Sequence, residues 1–126
     1  MAEHVDIEIP LHIRHASTVR AVAAAVCADL GFSVDAIDDL RLGVNEAVSL
    51  LADIDVDAGD ADARLKVRFE AGDGSVTVRC SRHGVDDEIG VDDLDVLARR
   101  ILDAVVDEYA VVDGVVTIVK RVAPHA

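Results

Sequence analysis

The sequence predicts an α+β fold of two layers: a sheet of about five strands, mixed but mostly antiparallel, with three helices on one face. Three observations carry that expectation. Apolar residues recur at helical spacing in three stretches, two pairs of alternating segments flank Gly- and Asp-containing turns, and the elements follow in the order β-α-α-β-β-α-β-β. The 126 residues, 52% hydrophobic, suffice for one core, and no repeat or linker divides them, so one domain over 1–126 is expected. With only Phe32, Phe69 and Tyr109 as aromatics, that core must be aliphatic.

Val5, Ile7 and Ile9 alternate with Asp6 and Glu8 before Pro10, which marks the end of a first strand. Ser17 or Thr18 is the expected cap of a helix running to about Leu30, with Val19, Val22, Ala23, Val26, Cys27 and Leu30 inward, and Gly31 stops it. Its outer face, with Arg20, Ala21, Ala24, Ala28 and Asp29, is smooth and weakly charged, which suits a partner and equally suits plain helix propensity. A central helix follows over Asp35 to Asp53, with Ile37, Leu40, Val44, Ala47, Val48 and Leu51 on one stripe. The acidic loop after it has Asp53, Asp55 and Asp57, but a calcium loop would need Gly at Ala58 and Glu at Arg64. Residues 64–70 and 76–81 then alternate around Gly72-Asp73-Gly74 as a hairpin with one buried and one cationic face. A third helix is expected from Val91 or Asp92 to Asp107, patterned by Leu94, Leu97, Ala98, Ile101 and Val105. Tyr109 to Val112, Asp113-Gly114 and Val115 to Val122 form a second hairpin whose last strand, apolar on both faces, belongs inside the sheet.

Composition narrows the function. With 25 acidic and 12 basic side chains the net charge is −13, which repels phosphate backbones and anionic membranes, so no direct nucleic-acid or membrane partner is expected. No run reaches the ~20 apolar residues of a membrane span, and MAEHVDIEIP lacks the basic and apolar regions of a signal peptide, so a cytoplasmic location is expected. Cys27 and Cys80 read as small buried hydrophobes, and the five histidines show no ligand spacing, so no metal is assigned.

The central helix also carries a second line, Asp39, Leu42, Glu46, Leu50 and Asp53, with Glu46 set between two leucines one turn away on either side. Leucines beside a carboxylate on a face that should be wet suggest a cover; the plain reading is a solvated face with two stray leucines.

The opening IPLHIRHASTVRAVAAAVCADLGFSVDAIDDLRLGVNEAV and the closing GVVTIVKRV resemble the GHKL superfamily of histidine-kinase and Hsp90-like ATPase domains, and within it the small anti-sigma-factor serine/threonine kinases. The resemblance implies a Bergerat-like ATPase domain over the whole chain, an Arg on the first helix (Arg20), and a nucleotide site on the central helix. Active relatives carry a Glu that serves the attacking hydroxyl and, four residues on, an Asn that holds magnesium. Here Glu46 matches, while the Asn position is Leu50, which has no oxygen for a hard cation. The family's Asp-x-Gly-x-Gly corresponds to Arg82-His83-Gly84-Val85-Asp86, where Arg82 is a donor in place of the acceptor that reads adenine. The glycine-rich lid is shortened to HGVDDEIGVDD, and of the final Gly-Thr only Gly114-Val115 remains, with Thr117 two residues late and Lys120 kept.

Resemblance and losses together imply an anti-sigma-factor-like regulator of a partner-switching system. It would bind a sigma factor or a STAS-type antagonist through a face marked by Arg20 and Ala24, without ATP or magnesium. One alternative is an active kinase with Glu46 as base, which would take ATP and magnesium; another is a structural, homo-oligomeric (for instance homodimeric) domain. The positions tied to the nucleotide site are Glu46, Leu50, Arg82, Gly84 and Thr117.

Overall fold

The computed structural model describes residues 3–52, 62–85 and 89–121. The acidic loop from Asp53 and the box residue Asp86 lie outside the described residues, as do Asp87, Glu88 and Val122.

Strand β1 (Glu3–Pro10) leads through a short 3-10 turn, Ile13–His15, into α1 (Ala16–Asp29) and α2 (Val34–Ala52). Then come the hairpin β2 (Arg64–Gly72) and β3 (Ser75–His83), α3 (Val96–Val105), and the hairpin β4 (Glu108–Val112) and β5 (Val115–Arg121). The five strands lie in the order β1-β2-β3-β5-β4, and every pairing is antiparallel, so the allowance for a mixed sheet is not used. Both hairpins close through an Asp-Gly pair at positive φ (Asp73 52°, Gly74 75°; Asp113 52°, Gly114 76°), the turn whose twist matches that of the strands it joins.

Alternation along the strands puts Leu65, Val67, Phe69, Val76, Val78, Cys80, Val116 and Ile118 on the buried face. The helices cover that face: α2 lies across β3 and β5, α1 reaches β2, and α3 packs on α2. From α2 the core receives Leu40, Gly43, Val44, Ala47, Val48 and Leu51. Gly43 is demanded by closeness, since a Cβ there would stand 2.7 Å from Cγ1 of Val106.

Helix boundaries depart from the expectation where polar side chains cap. Neither Ser17 nor Thr18 caps α1: both lie inside its first turns, and the Ser17 hydroxyl donates back to the Arg14 carbonyl. The preceding turn is instead capped by His12, whose Nδ1 accepts from the Arg14 N–H at 3.0 Å. Gly31 (φ 78°) ends α1, with the Phe32 N–H returning to the Cys27 carbonyl and that of Gly31 to Ala28. Ser33 caps α2 by accepting from the Ala36 N–H.

The third helix begins five residues later than expected. Val91–Asp93 is a separate 3-10 turn, Leu94 is extended, and Asp95 caps α3 by accepting from the Ala98 N–H at 2.7 Å. Asp93 likewise accepts from the Gly90 N–H, so each acid closes its own turn and the apolar pattern is read across a break. Leu97 is consequently 66% exposed, and Leu102 takes the core position.

Candidate functional site

Helix α2 and the segment entering α3 border a small cleft of about 210 Å³, lined by Glu46, Ser49, Leu50, Asp93, Leu94, Asp95 and Ala98. Glu46 and Leu50, one turn apart on α2, are thus brought together as helical spacing requires. Leu50 is half-buried and packs on the hydrophobic core, while the cleft carries three carboxylates, those of Glu46, Asp93 and Asp95. A hard cation would find no oxygen on Leu50. A phosphate about 6 Å from each carboxylate would meet about 0.7 to 3 kcal/mol of repulsion per charge, depending on exposure. That is a large share of the about 8 kcal/mol that micromolar binding needs. The cleft is also below the about 300–1,000 Å³ usual for ligand pockets.

Leu42 does not join this line. It is 52% exposed and lies with Arg20, Asp38, Arg41 and Asn45 around a second hollow of about 390 Å³ between α1 and α2. Arg20, expected on the outer face of α1, turns toward α2 and is half-buried, with Nη1 donating to the Asn45 side-chain oxygen at 2.6 Å. Ala24, one turn further along, is half-buried as well. The cause is a donor on one helix meeting an acceptor on the next, which the periodicity of neither helix could disclose; Asn45 was the residue missed.

Arg82 points to the helical side of β3, where Nη1 donates to the Leu51 carbonyl at 3.4 Å, in the last turn of α2. A cation at a helix C-terminus is favourable. Gly84 has φ 82°, and a Cβ there would stand 3.1 Å from the Asp62 carbonyl oxygen and 3.2 Å from the Ala63 Cα, so this glycine serves a close passage of two backbone segments. Thr117 is not part of the cleft. It alternates with buried Val116 and Ile118 and stands opposite Arg79 and Ala110, on the face of the sheet turned away from the helices. Lys120 is on the helical side, 15% exposed, donating to the Val105 carbonyl at 2.9 Å and to Asp39 at 3.3 Å. It thereby ties β5 to the end of α3 and to α2.

Burial pushes the Cys27 thiol up to about 11 and the Cys80 thiol up to about 12, so neither is a thiolate nucleophile near neutrality. Among the described residues, no group of three or more His, Cys, Asp or Glu has the arrangement to hold a metal ion. No described helix is long and apolar enough to cross a membrane.

The layer order and connectivity define a two-layer α/β sandwich, a five-stranded antiparallel sheet with three helices on one face. A solved structure, that of the RsbU and RsbW domains of Rv1364c from Mycobacterium tuberculosis, is similar with a TM-score of 0.66 and 20% sequence identity, over 98% of this chain and 34% of that one. The chain thus spans about a third of that neighbour's length, and the likeness is one of fold. No family model matches the sequence, and no curated protein matches it.

Proposed function

We propose that this chain is an anti-sigma-factor-like regulator in a partner-switching system, acting by binding a sigma factor or a STAS-type antagonist rather than by transferring phosphate. The observation that carries the reading is the cleft beside Glu46: small, lined by three carboxylates, and bordered by Leu50 where a magnesium ligand would be required. Arg82, reaching from β3 to the end of α2, adds a donor where adenine recognition requires an acceptor. The fold likeness to a chain that includes an RsbW domain supports the anti-sigma assignment. Arg20, with Ala24 one turn on, borders the hollow between α1 and α2, and the partner surface is assigned there.

Isothermal titration with ATP and magnesium, repeated with ADP and with Leu50→Asn, tests the absence of nucleotide. No heat in the natural protein is the expected result. Micromolar binding would overturn the reading and turn attention to kinase activity, assayed as phosphate transfer to an antagonist serine that is lost in Glu46→Gln. The binding role is tested by capture of a purified sigma factor or STAS-type antagonist, which Arg20→Ala is expected to weaken.

A further inference from the structure

The hairpin of β2 and β3 turns a cationic face away from the helices, and neither the cleft nor the hollow beside Arg20 makes use of it. Read by alternation, the open side of the sheet holds five of the chain's 12 Lys and Arg (Arg64, Lys66, Arg68, Arg79, Arg121) but only four of its 25 Asp and Glu (Asp6, Glu8, Glu70, Glu108). In a molecule of net charge −13, this is where a small anion meets no net repulsion.

Within it lies an open hollow of about 650 Å³, lined by Lys66, Arg68, Arg79, Ser81, Asp6 and Glu8, with Val115 at its β5 border. That volume falls inside the about 300–1,000 Å³ usual for ligand pockets. Strand register concentrates donors here: Lys66 stands directly opposite Ser81, and Arg68 directly opposite Arg79. Like charges facing one another across a strand pair are destabilising, and an acid flanks each of the two arginines. Arg68 grips Asp6 through hydrogen bonds of 2.7 and 2.9 Å, holding that carboxyl below its usual range, and Arg79 Nη1 meets Glu70 at 2.6 Å. These pairs fix the guanidinium groups without exhausting them, since Arg79 has N–H groups besides the one on Glu70. Lys66 is exposed and makes no hydrogen bond or ion pair among the described residues; Glu8, the acid across from it, is held by Arg64 at 3.5 Å. Ser81 Oγ lies 3.1 Å from Nε2 of His83. When the imidazole donates there, the hydroxyl proton is left for a ligand.

We propose that this hollow binds a small phosphate monoester, its phosphoryl oxygens taken by the Lys66 ammonium, the Arg79 guanidinium and the Ser81 hydroxyl, and its ester body lying toward Val115. The donor set selects the chemistry. Facing residues of adjacent strands set their Cβ atoms about 4.5–5.5 Å apart and diagonal ones about 7–8 Å, so two long cations and a hydroxyl at these positions can close on one tetrahedral group. A phosphate monoester offers them three oxygens and a charge of about −1.5 to −2 near pH 7, where a carboxylate has two oxygens and a single charge. Size is selected as well. Screening confines a small ion to charges within about 8 Å, whereas a nucleic-acid strand or an anionic bilayer would extend across the acidic remainder of the surface. The inference does not rest on the function proposed above: the affinity expected here is millimolar, far short of the micromolar binding that the ATP titration looks for, and it is read on the opposite side of the sheet from the cleft.

The test is titration of the nitrogen-15-labelled intact protein with phenyl phosphate at low salt, followed through amide chemical shifts. The expected result is saturable shifts confined to residues 64–68, 79–83 and 115–117, with a dissociation constant of about 1 mM. Inorganic phosphate, which lacks the ester body, should bind about three-fold more weakly, and benzoate, which lacks the second charge, about ten-fold more weakly. Lys66→Gln and Arg79→Gln should each weaken phenyl phosphate about five-fold or more. Lys66 is exposed and unbonded, so its variant folds in any case. Arg100→Gln, exposed on α3 in the helical layer, should leave binding unchanged. Vesicles containing phosphatidic acid, the same phosphate monoester on a membrane, should not retain a protein of charge −13. An absence of saturable shifts at about 20 mM phenyl phosphate, well above that dissociation constant, would overturn the inference. So would equal binding of sulfate, indifference to Lys66→Gln, shifts centred on Glu46 and Leu50, or retention by the vesicles.

Discussion

Replacing Gly43 by alanine tests how closely α2 is seated on the sheet. In an isolated helix the change is favourable by about 0.8–1.0 kcal/mol. Here the new methyl would stand 2.7 Å from Val106 Cγ1 and 3.8 Å from Cδ1 and Cγ2 of Ile118. The first distance is about 1 Å inside the ordinary separation of carbon atoms, and Val106 is a short branched side chain that cannot swing clear. Overpacking of this kind costs about 1–3 kcal/mol, so a net loss of about 1 kcal/mol is expected. For a chain of 126 residues that corresponds to about 4 °C in Tm. Urea and thermal melts should be run on Gly43→Ala, Val106→Ala and the double variant. With Val106 truncated the clash is gone, and Gly43→Ala should reverse sign and stabilise by up to about 1 kcal/mol. A higher Tm for Gly43→Ala alone would refute the close approach.

Two further outcomes follow from contacts away from the cleft. Lys120→Met removes the bonds to the Val105 carbonyl and Asp39, and should cost about 2 kcal/mol in urea melts, more than Asp39→Asn because Asp39 is the more exposed partner; a neutral result would mean the tie contributes nothing. The Cys80 thiol, held near 12 in the fold against 9.0 for a free thiol, contributes stability that is fully present below pH 9 and is lost as pH rises through about 12; the urea midpoint should therefore fall more steeply above pH 9 in the natural protein than in Cys80→Ala, and parallel pH profiles would contradict that burial.

The sheet was readable because its signals are local. Alternation over 64–70 and 76–81 with Asp-Gly turns determines which residues pair and which face each shows, and the inner place of the last strand follows from Val116 and Ile118 with Val115 and Val119 on both faces. The same alternation argues against Thr117 as a cleft residue: its parity is that of Val115, opposite to Val116. Motif analogy tracks position along the chain and not side-chain direction, and it gave Thr117, two residues later than the family's Thr, no face. The third helix was expected too early because its apolar pattern includes Leu94, whereas Asp93 and Asp95 each close a separate turn on either side of that residue. Within the cleft, Glu46 and Leu50 were legible from spacing on one helix. Asp95 and Leu94 come from a segment 44 or more residues away, and only tertiary packing sets them opposite. Gly43 left a signal that went unread: a glycine inside an otherwise continuous helical run usually marks a neighbour too close for a side chain.

The two ends of the sheet have a consequence for a chain that is 52% hydrophobic with a mean hydropathy of +0.31. At one border β1 presents Asp6 and Glu8 and closes on Pro10, which has no N–H to offer an arriving strand; at the other, β4 is five residues long and opens on Glu108. A further strand would meet carboxylates and a broken ladder at the first border and too short a ladder at the second. Lateral growth into a cross-β ribbon, which has no natural stopping point, is thereby discouraged at both borders. The molecule can be rich in Val, Leu and Ile and still keep its β-structure finite.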